Sequence, residues 1–257
     1  MKNYWKEKVE RGEKTVGTFI GSGDNLITEA GALSKMDFFI IDTEHGPFDV
    51  ETSAECIRTI EMYDKTAMVR VKDANRNSIL KMLDVGAKAL IIPQIHDIEE
   101  VKKVVEYGKY FPVGDRGVMY GRAVSFGYDE CCSSSLTDYF DVCNRETMLL
   151  PQCETTGALA QIEEIVALDG VDGIFIGPFD LSVSMGIPGG FGKPEFQEAL
   201  VRIKKACDDA GKPCIMFGLT TASAKGYADA GFEHLCISIN QNIYHDALDA
   251  VVDAILE

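Results

Sequence analysis

A single (β/α)8 TIM-type barrel over residues 1–257 is the fold this sequence predicts, and three observations carry the prediction. Eight short apolar runs recur along the chain, most of them separated by a segment long enough for a helix. Glycines stand at the junctions where a helix would hand over to the next strand. Polar and charged residues gather just past the apolar runs, where barrels of this kind build their sites. Strands alternating with helices mean βαβ units and a parallel sheet. Eight such units in 257 residues favour a closed barrel over an open, doubly wound sheet.

In chain order, a first helix falls at 3–11, polar but with Tyr4, Trp5 and Val9 as apolar points. The apolar runs are 16–20, 38–41, 67–71, 89–92, 148–150, 173–176, 214–217 and 234–239. Helical patterns between them cover 24–34, 50–63, 75–85, 98–107, 157–167, 194–210 and 221–230, and a last helix spans 242–256. The turns at Val85-Gly86-Ala87, Asp169-Gly170-Val171, Ala210-Gly211-Lys212 and Ala230-Gly231-Phe232 put glycine where a helix end needs a left-handed residue. The one long interval, 110–145, carries Pro112, Gly114, Gly117, Gly121 and Gly127, the arginines Arg116 and Arg122 ahead of Arg145 at its end, and several aromatics. A loop of that length inside a compact domain is usually functional or a lid.

The chain is 46% hydrophobic, ample for one core, and its formal net charge is -16. That charge repels phosphate backbones and leaves no basic footprint for nucleic acid. No apolar run approaches the roughly 18 residues of a membrane span, and the N-terminus lacks the apolar centre of a signal peptide. A soluble, cytoplasmic protein is expected. The eight cysteines form no CxxC spacing, so neither a disulfide scaffold nor a structural zinc site is expected. Reduced, mostly buried thiols are the reading, and Cys131-Cys132 is assigned no chemistry.

The strand ends hold the candidate chemistry. Asp42-Thr43-Glu44-His45-Gly46-Pro47 follows the second run, Arg70 closes the third, Pro93-Gln94 the fourth, Gln152-Cys153-Glu154 the fifth and Pro178-Phe179-Asp180 the sixth. The seventh and eighth runs offer mainly Gly218, Thr220, Ser238 and Asn240. Glu154 and Asp180 follow neighbouring strands, which lie about 4.8 Å apart. Two carboxylates that close repel unless they share a proton or a cation, and an open Mg²⁺ or Mn²⁺ site is commonly built from such a pair plus water and substrate oxygens. A paired-carboxylate hydrolase is the competing chemistry, and two helix N-caps the structural alternative. His45, flanked by carboxylates in a turn, has the surroundings of a general base. Arg70 at a strand end needs an anion, from protein or ligand. Asp84, near a helix end, reads from the residues alone as a solvated or capping side chain. Lys72 and Lys88 lie away from the strand mouths, so no Schiff-base lysine is indicated.

Together, Asp42-Thr43-Glu44-His45-Gly46-Pro47, Val69-Arg70-Val71, Leu83-Asp84-Val85-Gly86-Ala87, Asp115-Arg116-Gly117, Gln152-Cys153-Glu154-Thr155 and Gly170 through Ser182 resemble the HpcH/HpaI aldolases, metal-dependent class II aldolases acting on pyruvate-derived 2-keto acids. The resemblance runs from about Gly17 to the last helix. It implies Glu154 and Asp180 as ligands of a divalent metal (Mg²⁺ or Mn²⁺, with Co²⁺ also compatible). It implies His45 as a base acting through a metal-held water, and Arg70 as the group that stabilises the enolate. Asp42 or Asp84 would orient His45, Asp84 from a neighbouring subunit. Gln152, Asp180 and the backbone at Phe179 would contact substrate. The expected reaction is reversible cleavage of a 4-hydroxy-2-keto acid to pyruvate and an aldehyde. A homohexamer is implied, with the last helix packing on a neighbouring barrel. The chain departs from the family after the eighth strand, where Ser238-Ile239-Asn240 replaces a common Gly-Val-Asp. It departs again at Phe179, where a small residue is common and the ring would narrow the pyruvate end. A citramalyl- or malyl-CoA-type lyase and a non-catalytic ligand-binding barrel are the alternatives; the first calls for a basic patch, the second for loss of one of the four key side chains.

Overall fold

The computed structural model describes residues 1–256. Eight parallel strands close on themselves in sequence order: β1 (Thr15–Ile20), β2 (Phe38–Asp42), β3 (Thr66–Arg70), β4 (Ala89–Ile92), β5 (Met148–Cys153), β6 (Ile174–Ile176), β7 (Cys214–Gly218) and β8 (His234–Ile239), with β8 pairing back onto β1. The helices are α1 (Tyr4–Glu10), α2 (Asn25–Ala32), α3 (Val50–Glu61), α4 (Arg76–Asp84), α5 (Ile98–Gly108), α6 (Leu136–Glu146), α7 (Thr156–Ala160), α8 (Ile162–Ala167), α9 (Pro178–Ser184), α10 (Pro194–Ala210), α11 (Thr221–Asp229) and α12 (Asn240–Leu256).

All eight expected strands are present, and Gly86, Gly170, Gly211 and Gly231 all adopt positive φ. Three elements differ from the sequence expectation, the first being α9, a short helix over Pro178–Ser184 where none was expected. The interval 110–145 is not one loop: it holds 3₁₀ turns at Arg122–Gly127 and Glu130–Cys132 and most of α6, opened by a Ser135–Asp138 capping box. The helix expected at 157–167 breaks at Gln161, whose φ of -115° and ψ of 19° are not helical, into α7 and α8.

The strand period of two divides the core. Ile41, Val69, Leu90 and Leu149 face outward and pack under the helices. Phe38, Ile40, Met68, Ile91, Leu150, Phe175 and Ile215 point inward and fill the barrel. At the N-terminal end α1 supplies a stopper. Trp5 is fully buried, stands edge-on to Phe38 and His234, and donates its indole N–H to Thr15 Oγ1 at 2.9 Å. The interior is a packed core, so open space is left only at the C-terminal end of the strands. Among the described residues no helix is long and apolar enough to cross a membrane, and all eight cysteines are free thiols.

Candidate active site

Continuing the inward set by one more step per strand delivers the site. After Phe38 and Ile40 comes Asp42; after Met68 comes Arg70; after Met148 and Leu150 come Gln152 and Glu154; after Phe175 comes Gly177. All of the residues so delivered but Glu154, which is bonded to Gln152, line a cavity of about 270 Å³ at the strand mouths, together with Phe19, His45, Phe179, Asp180, Phe217, Ser238 and Ile239.

Asp42 and Arg70 are register partners on β2 and β3. The guanidinium makes two hydrogen bonds to the Asp42 carboxylate, from Nε at 2.9 Å and from Nη2 at 2.7 Å, and Nη1 lies 3.3 Å from Glu44 Oε2. Its plane lies over the Phe19 ring, 4.7 Å from the centroid. Burial opposes the charge on Arg70, but Asp42, with Glu44 and Glu154, outweighs it and holds the guanidinium above its ordinary pKa. The Thr43 hydroxyl donates to Arg70 O at 2.7 Å, fixing the turn that carries His45.

Asp42 Oδ1 also accepts the backbone N–H groups of Glu44 at 3.2 Å and His45 at 3.3 Å. It therefore sets the turn, not the imidazole. The imidazole is mostly exposed, and Nε2 is 3.8 Å from Glu44 Oε2. Burial raises the pKa of Glu44, partly offset by Arg70 and His45. Within one subunit Asp84 lies away from this cluster: it accepts a hydrogen bond from Arg116 Nη2 at 2.9 Å, and Arg116 stacks over Tyr110.

Glu154 is almost fully buried. Its Oε1 accepts the Gln94 backbone N–H at 2.7 Å and the Gln94 side-chain amide at 3.2 Å, and its Oε2 accepts the Gln152 amide. Gln94, which makes both bonds to Oε1, has a left-handed φ of 54°. Burial pushes the Glu154 carboxyl up to about 7 against the Gln94 bond, and the charges of Asp180 and Glu44 push it the same way. Gly177 is required here: a Cβ on it would lie 2.5 Å from Glu154 Oε2 and 2.6 Å from the Gln152 amide nitrogen. Asp180 sits in the first turn of α9, two residues inside the helix, and is not its N-cap; Gly177 is.

The residues fit a hard divalent cation. The carbonyl oxygen of Gln152 is buried with no hydrogen-bond partner, beside a carboxylate held at the edge of ionisation. Two carboxylates with room for water and substrate oxygens are the donor set Mg²⁺ uses. Among the described residues no group of three or more His, Cys, Asp or Glu side chains forms a closed cage. Lysine chemistry is not on offer: no lysine lines the cavity, and Lys88 pairs with Glu61 at 3.0 Å near the opposite end of the barrel.

The structure thus gathers Asp42, His45, Arg70, Gln152, Phe179 and Asp180 around one cavity, with Glu154 against its lining residues Gln152 and Gly177. Sequence reasoning missed Glu44 as a partner of Arg70, Gln94 as the anchor of Glu154, and the aromatic rings. The ring of Phe179 is 42% exposed and packs edge-on to Phe191 and against Phe217, at the mouth and not the floor. Gly218, Thr220 and Asn240 do not line the cavity. Thr220 caps α11, and Asn240 accepts the Gly21 N–H at 3.0 Å.

Comparison with known proteins identifies relatives of the whole chain. A 2-keto-3-deoxy-L-rhamnonate aldolase of Klebsiella pneumoniae is 32% identical over 97% of this chain and 91% of its own. The crystal structure of a HpcH/HpaI aldolase/citrate lyase family protein from Burkholderia cenocepacia is 27% identical, with a TM-score of 0.89 over 99% of this chain and all of that one. At the level of fold alone, the citrate lyase beta subunit of M. tuberculosis, solved with oxaloacetate and magnesium, has a TM-score of 0.59 at 14% identity over 91% of this chain and 95% of that one. The model of the HpcH/HpaI aldolase/citrate lyase family matches residues 15–243. A closed eight-stranded barrel with a carboxylate pair at its mouth and a matching sequence along nearly its whole length places the chain in the HpcH/HpaI aldolase/citrate lyase family.

Proposed function

We propose that this chain is a divalent-metal-dependent aldolase that reversibly cleaves a 4-hydroxy-2-keto acid to pyruvate and an aldehyde. The observation that carries the reading is the juxtaposition of a fixed cation, Arg70, with a buried carboxylate, Glu154, and the orphaned carbonyl of Gln152 around one small cavity. Glu154 and Asp180 would hold Mg²⁺ or Mn²⁺ (Co²⁺ is compatible with the same donors), whose chemistry there is to polarise the keto oxygen of the substrate.

This chain's own groups account for the rest. Arg70 is pinned on two sides, so its remaining N–H faces a developing enolate oxygen without reorganising. The backbone N–H groups at Phe179, at the N-terminus of α9, suit the substrate carboxylate, with Gln152 alongside. His45 takes the proton of the 4-hydroxyl. The C3–C4 bond breaks, its electron pair passes into the enolate of pyruvate, and the C4–O bond becomes the aldehyde carbonyl. Protonation at C3 releases pyruvate.

The CoA-thioester alternative fares less well. Arg70 is the only Lys or Arg lining the cavity and is already held by Asp42 and Glu44, which leaves a pyrophosphate without a cation. We further propose a homo-oligomer, in keeping with a hexamer. Helix α12 has no buried residue and exposes Ile243, Tyr244, Leu248, Val251, Val252 and Ile255. A neighbouring barrel would cover that face and bring its Asp84 toward His45. Free thiols without a disulfide suit the reducing cytoplasm.

The test is a coupled pyruvate-release assay on 4-hydroxy-2-keto acids. EDTA is expected to abolish activity and added Mg²⁺ or Mn²⁺ to restore it. Activity that survives chelation but is destroyed by borohydride with pyruvate would replace this reading with Schiff-base chemistry.

A further inference from the structure

We propose that the aldehyde half of the substrate is apolar, alkyl or aryl, and carries neither a chain of hydroxyls nor a second acid group; the inference rests on the aldolase reading of the site. The cavity is divided by strand. Its polar groups come from β2, β3, β5 and the start of α9: Asp42, Arg70, Gln152 and Asp180, with His45 beside them. Its other side, built by β7 and β8 with the Phe179 ring, is Phe217 and Ile239, and Phe19 on β1 joins the two sides, lying under the Arg70 guanidinium and against Phe217.

These rings are held as a unit. Phe19 stands edge-on to Phe217 with centroids 5.6 Å apart, Phe217 meets Phe179 at 6.3 Å, and Phe179 stands edge-on to Phe191 at 5.1 Å. The carboxylate and keto oxygen of a 2-keto acid need donors and belong on the polar side. C4 then lies between the two sides, with its hydroxyl toward His45 and its substituent directed to the aromatic side. There, a hydroxylated substituent finds Ser238 as the one polar side chain, and the polar groups nearby are already engaged: Asn240 with Gly21 and Ser22, Thr220 with its own helix. A buried hydroxyl or carboxylate without a partner is disfavoured. A second acid would also meet Asp180, and the cation among the lining residues, Arg70, is already held by Asp42 and Glu44. In the synthetic direction the enolate C3 of pyruvate bonds to the aldehyde carbon, the carbonyl pair takes a proton by way of His45, and a 4-hydroxy-2-keto acid with an apolar tail results.

The experiment has two arms on the intact enzyme with Mg²⁺. Exchange of the pyruvate methyl protons in D₂O, followed by NMR, reports enolate formation with no aldehyde present. Aldol addition of pyruvate to hexanal and benzaldehyde is then compared with addition to glyceraldehyde and succinic semialdehyde. Exchange together with kcat/KM at least about tenfold higher for the apolar pair is expected, and Phe217→Asn or Phe179→Ser is expected to lower that preference about tenfold. Exchange with a preference for glyceraldehyde or the semialdehyde overturns the acceptor assignment alone, as does a preference that neither variant moves. Absence of exchange overturns the aldolase reading and the acceptor assignment with it.

Discussion

Asp42 and Arg70 face each other on adjacent strands and share two hydrogen bonds, so the cation at the candidate site is positioned by its neighbour's carboxylate before any substrate arrives. The pair is mostly buried, and breaking it from one side leaves a charge short of its partner. Asp42→Asn is expected to cost about 2–4 kcal/mol of stability and to lower kcat about a hundredfold. Arg70→Lys keeps the charge but loses the two-pronged bond, so its loss should fall mainly on kcat. Thermal melts and steady-state pyruvate release separate the two variants. Equal kcat in Arg70→Lys and the parent would remove the planar guanidinium from the mechanism.

Glu154 gives a pH signature in the metal-free protein. Its folded pKa, about 7, lies above the ordinary glutamate value of 4.5, so the folded state holds this proton more tightly than the unfolded chain. The contribution is present in full below about 4.5 and is lost as pH rises through 7. Glu154→Gln, which cannot ionise, is expected to be more stable than the parent at pH 8 by about 2–3 kcal/mol, and indistinguishable from it near pH 4.5. Added Mg²⁺ should stabilise the parent and not the variant. Melting curves at both pH values, with and without metal, check all three statements.

His45 and Asp84 separate chemistry from assembly. The His45 ring is exposed and lies 3.8 Å from Glu44 Oε2, so His45→Ala is expected to change stability by less than about 0.5 kcal/mol while lowering kcat by about 10²–10⁴. Asp84→Asn should also lower kcat if Asp84 serves a neighbouring site. Mixing the two inactive variants as co-assembled oligomers would then restore part of the activity, because some sites combine a native His45 with a native Asp84. Absence of any restoration in confirmed mixed oligomers assigns Asp84 to its Arg116 pair alone.

The closed end of the barrel should govern acid stability. Burial holds His234 below its ordinary pKa of 6.5, while Nδ1 stands 3.0 Å from Thr15 Oγ1 and the ring packs on Trp5. The unfolded chain therefore takes this proton more readily. The stability His234 contributes is present above pH 6.5 and falls away as pH drops below it. His234→Gln should flatten stability against pH between 5 and 7, and Trp5→Ala should cost about 3–5 kcal/mol at any pH in that range. Denaturant titrations at three pH values measure both.

The barrel was legible in the sequence because its signals are local. A strand buried on both faces reads as an unbroken apolar run, and a helix end needing a left-handed residue reads as glycine. Asp42, His45, Arg70, Glu154 and Asp180 were legible by position, since each follows an apolar run. Their partners were not. Gln94 holds Glu154 through a backbone conformation that no side chain announces. Glu44 reaches Arg70 across two strands, and the rings of Phe19 and Phe217 sit inside runs that read only as core. The division of 157–167 at Gln161, and α6 within 110–145, were hidden because helix pattern survives a one-residue break and polar capping sequence reads as loop.

Trp5 gives the molecule one door. With the far end stoppered, the mouth rimmed by Phe179 is the way in and out, and in the reaction proposed above pyruvate would sit toward Gln152, behind the aldehyde. Release is then queued. The aldehyde departs first, pyruvate last, and in the synthetic direction pyruvate must enter before the aldehyde can. An enzyme arranged this way holds its donor ready and is inhibited by pyruvate competing directly with the full-length acid, while the aldehyde competes only for the front of the queue.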